Sequence, residues 1–308
     1  MRLSNSDSAG IPPTIVVRRG GRIVANGTAD APITFTALAP GVHSVLGKVT
    51  DTARNDTVGL GRSGKWGGVV IAGNAPGSAI SQSVEGLDDV PYGGPDPRDD
   101  SGVLRYVRIY HGGAVISANI EINGLTLAGV GNGTQIEYVE VAFCLDDGVE
   151  IFGGTVNLRH ISVLFVGDDA FDIDEGYTGQ GQYLFAMLGH SGDHAIEVDS
   201  QPSSSAPSHL GYSQPSFFGL TLLGGGLAGR MAPLMLLRSG AAGSYGDVLL
   251  DHGRSAAMQF DDCGIVHFVL QQVSRHTLPH SSHQRDRQHY HVLVTGQPGQ
   301  SRTTLGER

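Results

Sequence analysis

The sequence contains few cysteines and no long apolar run. Its only two cysteines, Cys144 and Cys263, share no metal-ligand spacing, so we expect two core thiols, with a single disulfide as the alternative. No apolar run reaches the roughly 18 residues that a transmembrane helix needs. Residues 1–13 lack the apolar core of a signal peptide, and we predict a disordered N-terminal segment there.

Basic residues are also scarce. The chain has 20 Lys and Arg residues against 30 Asp and Glu residues, which gives a formal net charge of −10. Binding to phosphate requires clustered Lys and Arg, and no such cluster is visible in the first 260 residues. The composition therefore argues against nucleic acid and against an anionic membrane as partners. Metal ions, cationic partners and neutral polymers fit better.

Glycine, in contrast, is abundant, with 46 residues. Short runs of β-branched and aromatic residues, bounded by Gly, Asn or Asp, recur along the chain, and almost no segment has helical spacing. Four runs align as triplets that start 24, 22 and 25 residues apart: NGLTLAG at Asn123, DGVEIFGG at Asp147, DAFDIDEG at Asp169 and HAIEVDS at His194. A coil of this length cannot bury its apolar face alone and must stack on its neighbours.

The repeat predicts an all-β fold, a single-stranded parallel β-helix over residues 14–263. Four strands are expected to stack in one parallel sheet: 122–127, 149–152, 171–174 and 195–198. Residues 88–102 and 203–208 are predicted loops that extend from the solenoid.

The pattern changes at about Gly264. Gly turns thin out after this residue, and five of the 13 histidines crowd between His276 and His291. His-rich tracts can bind metal, but a frameshifted or mispredicted tail explains the abrupt change more simply. Residues 264–308 are therefore treated as an atypical tail that carries no functional prediction.

Five carboxylates crowd into GDDAFDIDEG, residues 167–176. If the coils are in register, neighbouring rungs lie about 4.8 Å apart, which places Asp147 beside Asp169 and Asp146 beside Asp168. Carboxylates at this spacing repel one another, and they can share a proton, bind a cation or splay into water. The first arrangement makes a general acid, the second a Ca²⁺ site, and the third no site. The candidate Ca²⁺ ligands are Asp146, Asp147, Asp168, Asp169, Glu150 and Asp172.

Six segments occur in a fixed order: GTADAPITFTA (27–37), GKWGGVVIAGNAP (64–76), EGL with YGGPDPRDDSGVLRYVRIYHGG (85–113), NGLTLAGVGNGTQIEYVEV (123–141), DDGVEIFGGTVN (146–157) and GDDAFDIDEGYTGQGQYLF (167–185). Together they resemble a family of exported bacterial proteins of the pectin-lyase-like superfamily, often labelled lipoproteins, whose biochemistry is largely undefined. The resemblance implies a right-handed parallel β-helix and an extracellular or cell-surface location. It also implies a polysaccharide or a cell-envelope component as the partner.

Pectin-hydrolysing members of this superfamily carry an NTD motif, a DD pair about one coil later and a GHG motif one coil beyond. LDDG (145–148), GDD (167–169) and GDHA (192–195) occupy similar relative places. The sequence departs from that pattern, because Leu145 and Asp146 replace Asn and Thr, GHG is absent and no RIK-like basic motif follows.

That resemblance names candidate catalytic residues, which are Asp147 with Asp168 or Asp169 as acid and base, assisted by His194 or His190. A polysaccharide lyase would instead need an Arg or Lys base near Ca²⁺, and Arg159 and Arg238 are the candidates. The lone Trp66 lies in a Gly-rich turn, where an exposed ring could stack on a sugar or a buried ring could cap the core between coils.

The preferred hypothesis is an extracellular or cell-surface binding or structural module, with a Ca²⁺-stabilised acidic edge and a polysaccharide ligand. Its candidate ligand-binding residues are Trp66 and His190. The alternative is a glycoside hydrolase, similar to polygalacturonases, or a polysaccharide lyase that acts on uronate polymers. Hydrolysis ranks above elimination because neither candidate arginine lies in a recognisable motif.

Overall fold

The structure, a computed structural model, describes residues 12–37, 63–78, 82–117, 120–200, 211–262, 265–273, 290–295 and 303–305. Within these segments the chain forms 23 strands and one 3₁₀ turn, Gly226–Ala228. The strands, in chain order, are β1 (Ile15–Val17), β2 (Ile23–Asn26), β3 (Ile33–Thr36), β4 (Val69–Ala72), β5 (Gln82–Val84), β6 (Leu87–Tyr92), β7 (Gly102–Tyr110), β8 (Ala114–Ser117), β9 (Ile120–Ile122), β10 (Leu125–Ala128), β11 (Gln135–Ala142), β12 (Val149–Phe152), β13 (Asn157–Leu164), β14 (Phe171–Asp174), β15 (Gln180–Met187), β16 (Ile196–Val198), β17 (Ser216–Leu223), β18 (Met235–Arg238), β19 (Gly243–Asp251), β20 (Met258–Asp261), β21 (Ile265–Val273), β22 (Tyr290–Thr295) and β23 (Thr303–Leu305).

Two long sheets contain most of these strands. Sheet A has the order β1-β4-β10-β12-β14-β16-β18-β20-β23, and sheet B has the order β2-β7-β11-β13-β15-β17-β19-β21-β22, with β3 also paired to β7. Neighbouring strands are parallel except at the C-terminal ends, where β23 and β22 pair antiparallel with β20 and β21. Each coil therefore adds one short strand to sheet A and one long strand to sheet B. The predicted fold, an all-β right-handed parallel β-helix, is confirmed.

The predicted register between coils of sheet A is also confirmed. Val149 of β12 pairs in parallel with Leu125 of β10 and with Phe171 of β14. Asp172 of β14 pairs in parallel with Glu197 of β16. The four strands thus stack as one sheet, and their acidic rows lie beside one another.

Two predicted boundaries are wrong. The strand predicted at 122–127 begins at Leu125, because Ile120–Ile122 forms β9 and pairs antiparallel with β8. The loop predicted at 88–102 begins with strand β6, which pairs antiparallel with β5 in a hairpin. The predicted loop at 203–208 lies outside the described residues.

Hairpin β5–β6 covers the first part of the outer face of sheet A. The apolar contact joins Val84, Leu87, Val90 and Tyr92 of the hairpin to Val70, Ala72, Ala128 and Phe152 of the sheet. Beyond this cover the outer face changes character, because the register partner of Phe152 in the next coil is Asp174. The apolar half of the face thus gives way to an acidic half.

The long strands of sheet B each bend at one residue near their middle. At Tyr106, Tyr138, His160 and Tyr183 the bend has a left-handed backbone, with φ of 48, 53, 53 and 59°. These four side chains stack as rings, with successive centroids 4.5, 4.5 and 4.8 Å apart. Ring stacking offsets part of the strain of left-handed, non-glycine residues. The stack ends at the next coil, where the equivalent residue is Gly219.

The core fills the space between the inner faces of sheets A and B. Its largest fully buried side chain belongs to Trp66, whose indole Nε1 donates a hydrogen bond to the Tyr110 carbonyl oxygen at 2.8 Å. The prediction of an exposed, sugar-stacking ring at this position is therefore wrong, and the ring caps the core as in the alternative interpretation. Burial of a large aromatic ring contributes about 3 kcal/mol to folding.

The chain ends and the cysteines complete the description. Cys144 is a free, buried thiol, so the disulfide alternative is wrong, and Cys263 lies outside the described residues.

The segment predicted at 1–13 is described only at its last two residues, which have no regular structure. Within 264–308, strand β21 continues sheet B, and most other residues lie outside the described part. The described residues include no helix that has the length and apolarity to span a bilayer.

Candidate functional site

The register of sheet A builds a cluster of acidic side chains. Glu150 of β12, Asp172 of β14 and Glu197 of β16 are register partners on the outer face of the sheet. The turns that lead into the same strands carry the other members, which are Asp146, Asp147, Asp168, Asp169 and His194. We call these eight residues the acidic cluster. Because equivalent positions of adjacent coils lie about 4.8 Å apart, residues 22 to 25 positions apart in sequence become neighbours.

Two aspartates of the cluster tie each coil to the next. Asp147 Oδ1 accepts a hydrogen bond from the Asp169 backbone N–H at 2.8 Å. Asp169 Oδ1 accepts one from the His194 backbone N–H at 2.6 Å. The turn also needs a glycine at position 167, because a Cβ there would lie 1.8 Å from the Leu145 carbonyl oxygen. One oxygen of each aspartate is thus held in place, and the carboxylate groups are fixed against one another.

Most of the cluster is buried, and burial changes its proton affinity. The exposed fractions of Asp147, Glu150 and Asp169 are only 8, 7 and 5%. Burial, with the neighbouring carboxylates, raises the pKa of Asp147, Glu150 and Asp172 well above the usual range. Burial also raises the pKa of Asp146 and Asp169 to about 7. The cluster therefore resists full ionisation at neutral pH.

Two basic side chains compensate the charge at one end of the cluster. His194 Nδ1 lies 2.9 Å from Asp169 Oδ1 and 3.3 Å from Glu197 Oε2. Burial lowers the pKa of His194, but these hydrogen bonds outweigh burial and raise that pKa to about 10. Arg238 bonds Glu197 at 2.5 Å and Asp199 at 3.1 Å. This end is an ion-pair network in which two carboxylates favour the protonated imidazole. Asp169, His194 and Glu197 also bring one ligand atom each within 4.8 Å of one another.

The other end of the cluster has no such compensation. Asp147, Glu150 and Asp172 bring one oxygen each within 4.8 Å of one another, and so do Asp146, Asp147 and Asp168. In the described part of the chain, no Lys, Arg or His lies within ion-pair distance of Asp147, Glu150 or Asp172. Asp172 Oδ1 is buried and has no hydrogen-bond partner there. The two oxygen triads share Asp147, and an all-oxygen donor set suits a hard cation such as Ca²⁺.

One edge of the cluster is open to solvent. The Asp168 side chain is 49% exposed, and Arg230, from the segment between β17 and β18, lies 3.6 Å from it. The same guanidinium lies 3.4 Å from Asp193. Ions and water can therefore reach Asp146 and Asp168 without a rearrangement of the sheet.

The structure brings together the six predicted Ca²⁺ ligands and His194, but not the other candidates. His190 is exposed, contacts the Ala228 carbonyl oxygen in the 3₁₀ turn, and belongs to none of the three potential metal-binding groups. Arg159 lies in β13 of sheet B, in register with Glu137 and Gln182. Of the two arginines considered as a lyase base, only Arg238 lies beside the cluster.

Sequence reasoning missed Glu197 as a member of the cluster. The signal was present, because HAIEVDS places Glu197 in the same row as Glu150 and Asp172. The ion-pairing roles of Arg230 and Arg238 had no such signal, because the register partner of Ile196 lies 39 residues later, at Met235. An insertion of that size removes the coil period from the sequence.

The geometry is poorly suited to inverting hydrolysis. That reaction needs its two carboxyl groups about 6.5 to 9.5 Å apart so that a water fits between them. Oxygens of the diagonal pair, Asp147 and Asp168, lie within 4.8 Å of each other. The Asp169 carboxylate already forms an ion pair with His194. Close carboxylates without an intervening water position favour a shared cation over an acid and base pair.

Comparisons with known proteins agree with this fold. The family model of the pectate-lyase-like beta helix domain matches residues 4–287. Neither the curated proteins nor the solved structures contain a match to the chain. The family match spans most of the chain, including every strand of the acidic cluster and the first part of the atypical tail. The chain therefore belongs to the pectate-lyase-like beta helix domain family.

Proposed function

We propose that the chain is a Ca²⁺-stabilised β-helix module that acts at the cell surface or outside the cell as a polysaccharide-binding or structural protein. One observation carries the Ca²⁺ part of the proposal. The carboxylates of Asp147 and Glu150 are buried and that of Asp172 is half-buried beside them. No basic side chain of the described residues lies within ion-pair distance of these three. Burying ionised carboxylates without compensation is costly, and a bound divalent cation removes that cost.

Calcium suits this donor set better than other metals. It takes about six to eight oxygen ligands with flexible geometry, from mono- or bidentate carboxylates and water. The triads on either side of Asp147 supply carboxylates from two adjacent coils, and the open edge at Asp168 admits water. The two triads that share Asp147 contain neither a thiol nor an imidazole, which are the ligands that favour zinc.

The location and the polysaccharide ligand rest on other grounds. The resemblance to exported superfamily members supports a place outside the cell. The negative net charge and the family membership support a polymer or ionic partner over a nucleic acid. Inverting hydrolysis has less support, because the acid and base pair is too close. A retaining hydrolase needs carboxyl groups about 5 to 5.5 Å apart, and the activity assay below tests that mechanism as well. A lyase has less support still, because carboxylates outweigh burial and raise the pKa of Arg238, which makes it a poor base.

Calorimetric titration with Ca²⁺ tests the metal site. We expect the chelator-treated protein to bind Ca²⁺, and Asp172→Asn to weaken binding by about tenfold or more, since a charged ligand is replaced by a neutral amide of the same shape. Asp88→Asn is the matched control, because Asp88 is an exposed carboxylate on strand β6. Absence of Ca²⁺ binding, or equal loss in the control, would refute the proposal.

An activity assay tests the hydrolase alternative separately. We expect no release of reducing sugar from polygalacturonate or alginate by the unmutated chain. Release that disappears in Asp169→Asn, with the fold intact, would replace the binding function by hydrolysis.

A further inference from the structure

A groove of about 670 Å³ runs along the outer face of sheet B, on a different sheet from the acidic cluster. Its floor is formed by the first three residues of β11, β13, β15 and β17 and by the second to fourth residues of β19, which belong to five successive coils. At about 4.8 Å per coil, these rungs extend over roughly 19 Å. The groove is therefore long and parallel to the axis of the helix.

One side of the groove is a row of uncharged polar side chains. The row consists of the register partners Gln135, Asn157, Gln180, Ser216 and Ser244, and all five are exposed. Only one hydrogen bond ties this row together among the described residues, from the Gln180 backbone N–H to Asn157 Oδ1 at 3.1 Å. Amides and hydroxyls can both donate and accept, so the row offers repeated contacts to a hydroxyl-rich ligand.

The adjacent row carries an exposed aromatic ring. Glu137, Arg159, Gln182 and Phe218 occupy the third strand position in successive coils, and Gly246 follows them. Phe218 is 51% exposed. Its ring covers the next coil, because a Cβ on Gly246 would lie 2.2 Å from a ring atom. Phe218 is thus a flat apolar platform beside a polar row.

A second exposed ring follows the groove residue Gln182 in sequence and lines a separate pocket with Tyr138 and His160. Tyr183 ends the aromatic stack of sheet B and is 47% exposed. The following coil has Gly219 at the equivalent position, so no further ring covers Tyr183 on that side. Exposed rings beside convergent polar groups are typical of ligand sites, and carbohydrates match the combination because their C–H faces pack on rings while their hydroxyls bond amides.

The charge of the groove selects among carbohydrates. Glu137 and Arg159 are its only charged lining residues, and their charges are opposite. The chain as a whole carries a formal charge of −10, which repels polyanions. We propose that this groove binds a single strand of a neutral polysaccharide, with Phe218 as the stacking platform. The inference rests on the proposed polysaccharide-binding function but assigns it to a site separate from the acidic cluster.

Native gel electrophoresis in the presence of dissolved polymer tests this site on the full chain. We expect galactomannan or hydroxyethyl cellulose to retard the protein, polygalacturonate not to retard it, and chelator to leave retardation unchanged. Phe218→Ala should weaken the retardation about tenfold, which is the size of one aromatic contact. Leu227→Ala is the matched control, because Leu227 is also apolar and 82% exposed but lies outside the groove.

Four other results of the electrophoresis would contradict the proposed groove. Equal retardation of Phe218→Ala and the unmutated chain would overturn the groove but keep the proposed function. Absence of retardation by both neutral polymers, or retardation by polygalacturonate alone, would overturn the groove and its ligand class. Retardation lost in Asp172→Asn or in chelator would move polysaccharide binding to the acidic cluster. A concentration-dependent dimer that Phe218→Ala abolishes would make the groove an interface between two copies of the chain.

Discussion

The outer faces of sheets A and B follow the same alternation but have opposite chemistry. On sheet A, Glu150 and its neighbours point outward and are nevertheless buried, with an exposed fraction of 7% for Glu150. On sheet B, the outward Gln180 and Gln182 are exposed. The surroundings differ, because hairpin β5–β6 and the preceding turns close over part of sheet A, while the groove on sheet B stays open.

Burial decides what the same outward position can do. An exposed polar row needs no partner other than water, so its residues are free for a ligand. A buried carboxylate row needs compensation. In sheet A the compensation is complete only at the end that contains His194 and Arg238. The uncompensated end at Asp147 is where a cation is expected.

Replacement of one buried and one exposed aromatic residue should give the largest difference in the free energy of unfolding. Trp66→Ala should lower the free energy of unfolding by about 3 to 5 kcal/mol, because it empties a fully buried site. Phe218→Ala should change it by less than about 0.5 kcal/mol, because the ring is exposed. Urea denaturation followed by circular dichroism measures both. A large loss in Phe218→Ala would show that the ring belongs to the core.

Removal of one basic side chain from each outer face should give the next largest difference. His194→Gln leaves Asp169 buried without its cation, although Glu197 keeps Arg238, and should cost about 3 kcal/mol. Arg159→Gln removes a charge from the exposed face of sheet B and should cost less than about 0.5 kcal/mol. Chemical denaturation at neutral pH checks the pair. Equal effects would contradict the distinction between the two faces.

The pH dependence of the Ca²⁺-free protein should reveal the buried face of sheet A. In the native state the pKa of Asp146 and of Asp169 is about 7, whereas the ordinary value is 3.8. Between pH 3.8 and pH 7 the native state therefore binds more protons than the unfolded state. Stability therefore falls as pH rises from about 5 to 7, by roughly 1 kcal/mol for coupled groups. His194, raised from 6.5 to about 10, extends the fall to higher pH.

Melting curves in chelator, followed by the fluorescence of the single Trp66, measure this dependence. The expected change is about 2 to 4 °C between pH 5 and pH 7. Asp88→Asn should behave like the unmutated chain, because Asp88 is exposed. A melting temperature that rises across this interval would show that the carboxylates are not buried as described.

The sequence predicted the fold well because coil length and alternation are local. Glycine-bounded triplets 22 to 25 residues apart specify which side chains stack, and the pairing of Val149 with Phe171 follows from them. The acidic cluster was predictable for the same reason. Its burial was not, because the residues that cover it come from other turns of the chain, such as Asn123, which hydrogen-bonds Glu150.

The groove of sheet B was not predictable for a different reason. Every solenoid exposes polar residues at alternate positions, so Gln135 and Asn157 do not stand out in the sequence. Their significance comes from neighbours in other coils, above all Phe218. Trp66 was misleading because a Gly-rich turn gives no indication of whether its ring points inward or outward.

Melting curves of Asp147→Asn, with chelator and with Ca²⁺, test the central claim most directly. Asp147 is shared by both oxygen triads, and an asparagine Oδ1 can still accept the Asp169 N–H. In chelator the variant should be more stable than the unmutated chain by about 1 kcal/mol, because Asp147 must be either ionised or protonated on burial at a cost that asparagine avoids. In Ca²⁺ at about 100 times the Kd, the unmutated chain should gain about 2.7 kcal/mol and the variant little, so the order reverses. The same order in both conditions would contradict a cation site at Asp147.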